Sequence, residues 1–290
     1  PNMKKYGEVF RLFRESRGLK LKDVAKSGIS TSHLSRFENG EAELTFSKLI
    51  IALNEINVSI EEFIYVANDF CRDELNNLLE QIRQYVSTND VNGMKNLLIS
   101  QIEKKNKRES FYKNNIILVK IRLQDISGES YYNEDDLAYL SDYLFSVEYW
   151  GNYELLLFAN TLDVLNHKLL MTLAREMCRR TDFYKEIPTN RRLISSMLLN
   201  CYITCIERRK SIDAVYFEKQ LRYCSFFETE MYEKLVFQYA NNLYKYVFED
   251  DKLAILEMRK CIGAMKLIGS NHIANKYERH LNGILKNKSN

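Results

Sequence analysis

Residues 28–46 read GISTSHLSRFENGEAELTF. The segment sets small hydroxyl side chains and one arginine at helical spacing around two apolar residues. Leu34 and Phe37 are three apart and belong on the buried face of a helix. Thr31, Ser32, Ser35 and Arg36 then face outward, with His33 near the edge. Small side chains in a first helical turn let backbone approach a groove, and a guanidinium at the end of that face can reach a guanine edge or a phosphate. The chemistry on offer is hydrogen-bonded readout of a nucleic acid, not bond making.

A second set of polar residues recurs far along the chain. Asn160, Asn200 and Asn241 stand in the contexts FAN, LLN and YAN, at intervals of 40 and 41. Each interrupts an apolar helical pattern in which asparagine has poor helix propensity. Either the interval is accidental, asparagine being common here, or alternate helices line one concave face and place an amide on it. An amide offers both a donor and an acceptor, which suits the backbone of an extended peptide. Lys120 and Arg122, one repeat earlier, would then close the trough on an acidic side chain or a peptide carboxylate. Arg179 and Arg180 are further candidates that read equally as surface. Tyr153, Tyr202, Phe237 and Tyr239 would supply the apolar walls a hydrophobic ligand requires.

Other chemistry finds little support. Cys71, Cys178, Cys201, Cys205, Cys224 and Cys261 show no paired-cysteine metal spacing, and the four histidines (His33, His167, His272, His280) are scattered. Cys201 and Cys205 are four apart, which places two thiols on one helix face, and packing in a core is the ordinary reason for that. No metalloprotease, serine-hydrolase or phosphate-loop motif is present. We expect no enzyme activity, no metal and no cofactor. No signal peptide and no apolar run of membrane-spanning length is found, so a reduced, cytoplasmic setting without membrane contact is expected. Pro1 and Asn2 precede Met3 and read as a remnant of cloning, outside the fold.

A chain of 290 residues suffices for two domains. With only 10 Gly and 2 Pro, the chain carries few helix breakers, and 19 Tyr and 15 Phe suit thick helix–helix cores. An all-α protein follows. Residues 3–70 hold five short helical patterns: Tyr6 to Arg17, Leu21 to Lys26, Thr31 to Asn39, Phe46 to Ile56, and Ile60 to about Asp69. Ser30 is a candidate N-cap with Ile29 and Leu34 as a hydrophobic staple, and Ser59 with Glu62 forms a candidate capping box. Gly40 suits the residue just past a helix end. From residue 71 to 290 the helices lengthen, with breaks near Thr88, Asn106, Gly128, Gly151, Asn166, Pro188, Ser211, Phe227, Asp250 and Ser270. The period near 40 is that of paired-helix repeat arrays.

Charge is balanced overall at +3, yet polarised along the first domain. Residues 1–36 carry nine basic and three acidic side chains, and residues 37–69 carry seven acidic and one basic. A basic face is the electrostatic footprint of DNA binding, although solvated surface charge gives the same pattern.

The stretch from Arg11 to Phe63 resembles the five-helix helix-turn-helix domain of the phage-repressor (Xre/Cro) type. The matching positions are Arg14, Leu21, Val24, Ala25, Ile29, Ser30, Leu34, Arg36, Glu38, Asn39, Gly40, Leu49 and Phe63. The form RFENGE followed by a long helical part resembles the Rgg family of peptide-pheromone-responsive regulators of Gram-positive bacteria. Trp150, Tyr153, Glu154, Leu155, Phe158 and Asn160 add to that likeness. The resemblance implies a TPR-like, right-handed helical repeat domain after the helix-turn-helix. It implies that Thr31, Ser32 and Arg36 face base edges and that Ser30 and Asn39 lie near phosphates. It also implies an internal salt bridge between Arg14 and Glu38, leaving Arg11, Arg17, Lys20 and Lys22 as the phosphate partners. Thr31 and Ser32 are short where relatives carry longer side chains, which shifts specificity toward Arg36 and DNA shape.

The function expected is that of a sequence-specific DNA-binding transcriptional regulator controlled by a short hydrophobic signalling peptide, as in quorum sensing. One such domain reads half a site, so a homodimer on a double-stranded pseudo-palindrome is expected. The alternative is a helical-repeat scaffold for protein partners, with a DNA-binding head and no small peptide ligand.

Overall fold

The computed structural model describes residues 3–26, 28–68, 74–104, 109–181, 187–224 and 226–289. Among these, 77% are helical and none lies in a strand, as few breakers and few turn residues require. The chain forms two compact units, residues 1–87 and 88–290. The expected boundary at residue 70 falls in the segment outside the described residues, and the helix after it groups with the first unit.

The first unit contains α1 (Met3–Ser16), α2 (Leu21–Val24), α3 (Thr31–Glu38), α4 (Phe46–Glu55), α5 (Ile60–Ala67) and α6 (Glu74–Ser87). The first five match the expected elements within two or three residues. The second helix stops early because Ala25 turns to an extended conformation (ψ 93°). Asp69, the expected end of the fifth, lies outside the described residues.

Caps set the boundaries. The Ser30 Oγ accepts the His33 N–H at 3.1 Å. The Ser59 Oγ accepts from Glu62 N at 3.1 Å while Glu62 Oε2 accepts from Ser59 N at 3.0 Å, the reciprocal capping box. Gly40 takes φ 74° just past α3, a conformation a side chain would strain.

One core joins α1 to α5. Phe10, Val24, Leu34, Ala52, Leu53, Ile56 and Phe63 are 0–1% exposed. On α4 and its C-cap the buried stripe is Ala52, Leu53 and Ile56, with Leu49 and Ile50 only partly covered. Leu34 and the staple partner Ile29 are both buried.

Inside this unit sits an ion pair. Arg14 Nε donates to Glu38 Oε1 at 2.6 Å and Arg14 Nη2 to Glu38 Oε2 at 2.8 Å, while Arg14 Nη1 donates to the Leu19 carbonyl at 2.6 Å. Both side chains are buried, at 6% and 2% exposure. The hydrogen bonds to Glu38 raise the Arg14 pKa above its ordinary value. The pair ties the last turn of α1 to the last residue of α3. Beside it, a Cβ on Gly7 would lie 2.0 Å from the Phe37 carbonyl oxygen, so α1 and α3 approach closely because Gly7 has no side chain.

The second unit contains α7 (Val91–Lys104), α8 (Glu109–Ser127), α9 (Glu134–Ser146), α10 (Asn152–Ala159), α11 (His167–Arg180), α12 (Pro188–Glu207), α13 (Ser211–Cys224), α14 (Met231–Phe248), α15 (Ala254–Leu267) and α16 (Asn271–Ser289). The expected breaks reappear, except that Asn106 lies outside the described residues. Most neighbours pack in sequence, and α9 packs on α11, α10 on α12 and α12 on α14, the stacking of a repeat array. Trp150, Phe158, Tyr202, Phe217 and Tyr239 fill the core, and Trp150 Nε1 donates to the Leu144 carbonyl at 3.0 Å. Cys201 and Cys205 are fully buried. Burial raises both thiols, Cys205 to about 12, so they are packing groups and not thiolates.

Polar bonds join positions about 40 apart. Asn114 Nδ2 donates to Tyr153 Oη, Arg191 Nε to Glu230 Oε1, Tyr202 Oη to Asn241 Oδ1, and Tyr239 Oη bonds His280 Nδ1. Their sequence separations are 39, 39, 39 and 41 residues.

Two variants test the α1–α3 junction. Glu38→Ala strips a buried guanidinium of its bidentate carboxylate, leaving it only Glu15 at 3.3 Å and the Leu19 carbonyl, and is expected to lower stability by about 3 kcal/mol. Gly7→Ala gains helix propensity of about 1 kcal/mol, but the clash with the Phe37 carbonyl outweighs it, for a net loss of about 1–3 kcal/mol. Urea titration of the full chain, with the unfolding of residues 1–87 followed by hydrogen exchange, measures both. A melting profile equal to wild type for Glu38→Ala would refute the structural role of the pair.

Candidate functional site

On α3, Thr31, Ser32 and Arg36 are exposed, Ser35 is half-buried, and the capping residues Ser30 and Asn39 are exposed at either end. This is the face that the burial of Leu34 and Phe37 leaves outward. Among the described residues no hydrogen bond or ion pair holds the Arg36 guanidinium, so its donors are available. His33, by contrast, is oriented by a 3.0 Å contact from Nε2 to the Glu43 carbonyl.

The four basic residues assigned to phosphates divide in two. Lys20 and Lys22 are exposed, with no ion pair on either ammonium among the described residues. Arg11 lies 3.3 Å from Glu15 and 3.5 Å from Glu38. Arg17 donates to the Phe13 carbonyl at 3.1 Å and stacks over the Phe13 ring at 5.5 Å. These two arginines also serve the domain's own surface, because Glu15 and the Phe13 ring lie within one helical turn of them.

In the second unit a cleft of about 390 Å³ is lined by Arg122 of α8, Ala159, Leu162 and Asp163 at the end of α10, four residues of α12 and three of α16. The α12 residues are Asn200, Ile203, Thr204 and Glu207, and those of α16 are Lys276, Tyr277 and His280. Two of the nine residues expected to bind a peptide, Arg122 and Asn200, line this cleft.

The others are placed differently. Tyr202 and Tyr239 are 2% and 0% exposed, so they are core residues and offer no wall. Their hydroxyls tie adjacent repeats, and burial raises both phenols. Asn241 accepts the Tyr202 hydroxyl at 3.1 Å. Asn160 is not inside a helix but caps the C-terminus of α10, where its Nδ2 donates to the Leu156 carbonyl at 2.8 Å. Phe237 is half-buried in a ring cluster with Tyr202 and Phe226. Tyr153 stacks on Phe111 at 5.4 Å. Of the three recurrent asparagines, Asn200 alone is exposed.

The expected cations are also committed. Lys120 pairs with Asp136 at 2.9 Å. Arg122 Nη1 donates to Asp125 and Asp163, and Nη2 to Asp163 and to the Asn160 carbonyl, all at 2.7 Å. Burial alone would raise Asp163, but the hydrogen bonds and charge of Arg122 overcome it and hold the carboxyl below its ordinary value. Arg180 caps the end of α9 through the Phe145 carbonyl at 2.7 Å and pairs with Glu176. Arg179 pairs with Glu176 as well.

Sequence reasoning missed Asp163, Glu207, Lys276 and His280. His280 was within reach, since the repeat interval carried forward from Tyr239 lands on it. Its Nδ1 lies 2.7 Å from Tyr239 Oη and its Nε2 lies 2.8 Å from Glu207 Oε1. Among the described residues no group of three His, Cys, Asp or Glu is arranged to hold a metal, and no helix is long and apolar enough to cross a membrane.

Known proteins share this fold. Residues 10–63 match the model of a helix-turn-helix family. The SHP pheromone receptor Rgg2 of Streptococcus dysgalactiae superposes with a TM-score of 0.82 at 26% identity, over 96% of this chain and 99% of that one. A variant of that receptor gives 0.83 at 27% identity, over 95% and 98%. The PrgX/cCF10 complex shares the fold, with a TM-score of 0.79 at 17% identity over 96% and 99%. Residues 95–279 match the model described as the C-terminal domain of the HTH-type transcriptional regulator Rgg, and with that match spanning most of its length, this chain belongs to the Rgg family of helix-turn-helix transcriptional regulators.

Proposed function

We propose that a short hydrophobic signalling peptide enters the cleft between α8, α10, α12 and α16 and thereby controls how this regulator acts on its promoter, as in quorum sensing. The observation that carries the reading is Asn200. It is an exposed amide on a helix whose adjoining residues Met197, Leu198, Leu199 and Cys201 are all buried, and it stands in a cleft with Ala159, Leu162 and Ile203 as apolar lining. A donor and an acceptor on an apolar wall suit peptide backbone. Support comes from the likeness to a pheromone receptor at 26% identity over nearly the whole chain.

Residues 3–70 form the DNA-binding part in this reading, and residues 71–290 the peptide-binding and dimerising part. The protein acts in the cytoplasm as a homodimer on a double-stranded pseudo-palindrome, because one helix-turn-helix covers half a site. Thr31, Ser32 and Arg36 meet base edges. Ser30, Asn39, Lys20 and Lys22 lie along the phosphates. No reaction is catalysed and no cofactor is needed.

Two measurements address the two ends of the protein. Arg36→Ala is expected to weaken binding to the cognate site by about 1–3 kcal/mol with the fold intact. Unchanged gel-shift affinity would remove α3 as the reading face. Asn200→Ala is expected to weaken a bound hydrophobic peptide by about 1–3 kcal/mol, whereas Asn160→Ala lowers stability more than affinity, its amide being bonded within the fold. Isothermal titration of each variant decides this. A scaffold without a peptide ligand would show no change in melting temperature or DNA affinity when short hydrophobic peptides are added.

A further inference from the structure

Three cationic or potentially cationic side chains line the cleft: Arg122, His280 and Lys276. Two of them are spent. The four terminal N–H groups of Arg122 are taken by Asp125, by both oxygens of Asp163 and by the Asn160 carbonyl. Both ring nitrogens of His280 are engaged, Nδ1 with the Tyr239 hydroxyl and Nε2 with Glu207. Lys276 is exposed, and among the described residues its ammonium has no hydrogen bond or ion pair.

The acids of the cleft occupy its other two basic side chains. Asp163, just after α10, is bonded to Arg122, and Glu207, in the last turn of α12, is bonded to His280. A carboxylate set beside either would meet like charge. The Lys276 ammonium swings on a four-carbon stem and keeps three donors free. The open amide of Asn200 stands in the same cleft.

Resting on the peptide reading above, we propose that Lys276 is a specificity-determining residue: it holds a carboxylate of the bound peptide while Asn200 bonds the backbone. The ligand class is therefore a hydrophobic peptide with an anionic group, supplied either by its C-terminus or by an acidic side chain. Arg122 fixes the cleft wall instead of gripping the ligand.

The experiment uses full-length protein and pools of N-acetylated hydrophobic heptapeptides built from Leu, Ile, Val, Phe and Trp. One pool ends in a free carboxylate and one in an amide. Two further amidated pools carry a single Asp or a single Asn at each position in turn. Retained peptides are counted by mass spectrometry for wild type, Lys276→Gln and Lys276→Arg. Wild type is expected to favour a carboxylate-bearing pool over its neutral counterpart by about tenfold. The free-terminus and Asp pools tell which source supplies the charge. Lys276→Gln is expected to retain both members of that pair alike, and Lys276→Arg to restore the preference. Equal retention of charged and neutral pools by wild type overturns the role of Lys276 and leaves the peptide reading standing, as does an undiminished preference in Lys276→Gln. Retention of no pool by wild type sinks the peptide reading and this proposal together.

Discussion

Buried polar groups in a helical array have few places to find partners, and here they find them one repeat away. Tyr202 reaches Asn241, Tyr239 reaches His280, Asn114 reaches Tyr153 and Arg191 reaches Glu230, at separations of 39 to 41 residues. Each bond fixes the register of one helix against the next. An apolar interface alone tolerates sliding, since one Leu replaces another at small cost. A phenol hydroxyl left unpaired in the core costs about 1–3 kcal/mol, so the array is held where the pairs meet. The cleft inherits its shape from these bonds: the groups that tie α14 to α16 also fix Glu207 at the rim.

The same rule governs which cations remain available. Arg122 is fully engaged by two aspartates and a carbonyl, and Lys120 by Asp136. A guanidinium that has exchanged water for four fixed oxygens is part of the wall. In the first unit Arg14 follows this logic most completely, buried and bidentate on Glu38. Its partner is the last residue of α3, so an internal ion pair and the close approach at Gly7 set the pose of the helix that carries Arg36. The Arg36 guanidinium stays free of partners among the described residues while a different charge holds the scaffold.

Much of the fold was legible in the chain. The helix boundaries of the first unit were marked by Ser30, Ser59 and Gly40, whose effects are local: a hydroxyl caps the amides within three residues, and glycine takes positive φ without strain. The outward face of α3 followed from helical period once Leu34 and Phe37 were assigned inward. The repeat interval was visible because repeat geometry constrains the sequence at every turn.

The candidate peptide site was only half legible. The sequence determined that Asn160, Asn200 and Asn241 recur with the repeat, and the tertiary structure decided what each does: Asn160 caps α10, Asn241 receives Tyr202, and Asn200 alone is open. Tyr202 and Tyr239 read as binding walls, yet both lie in the core, because periodicity gives the direction of a side chain around its own helix and not what another helix lays across it. Lys276 and His280 entered the cleft from the last helix, far along the chain from Arg122. Capping and helical phase are set within a few residues and can be read there; the partner of a buried hydroxyl or guanidinium is fixed by packing between helices, where only the folded chain brings the two together.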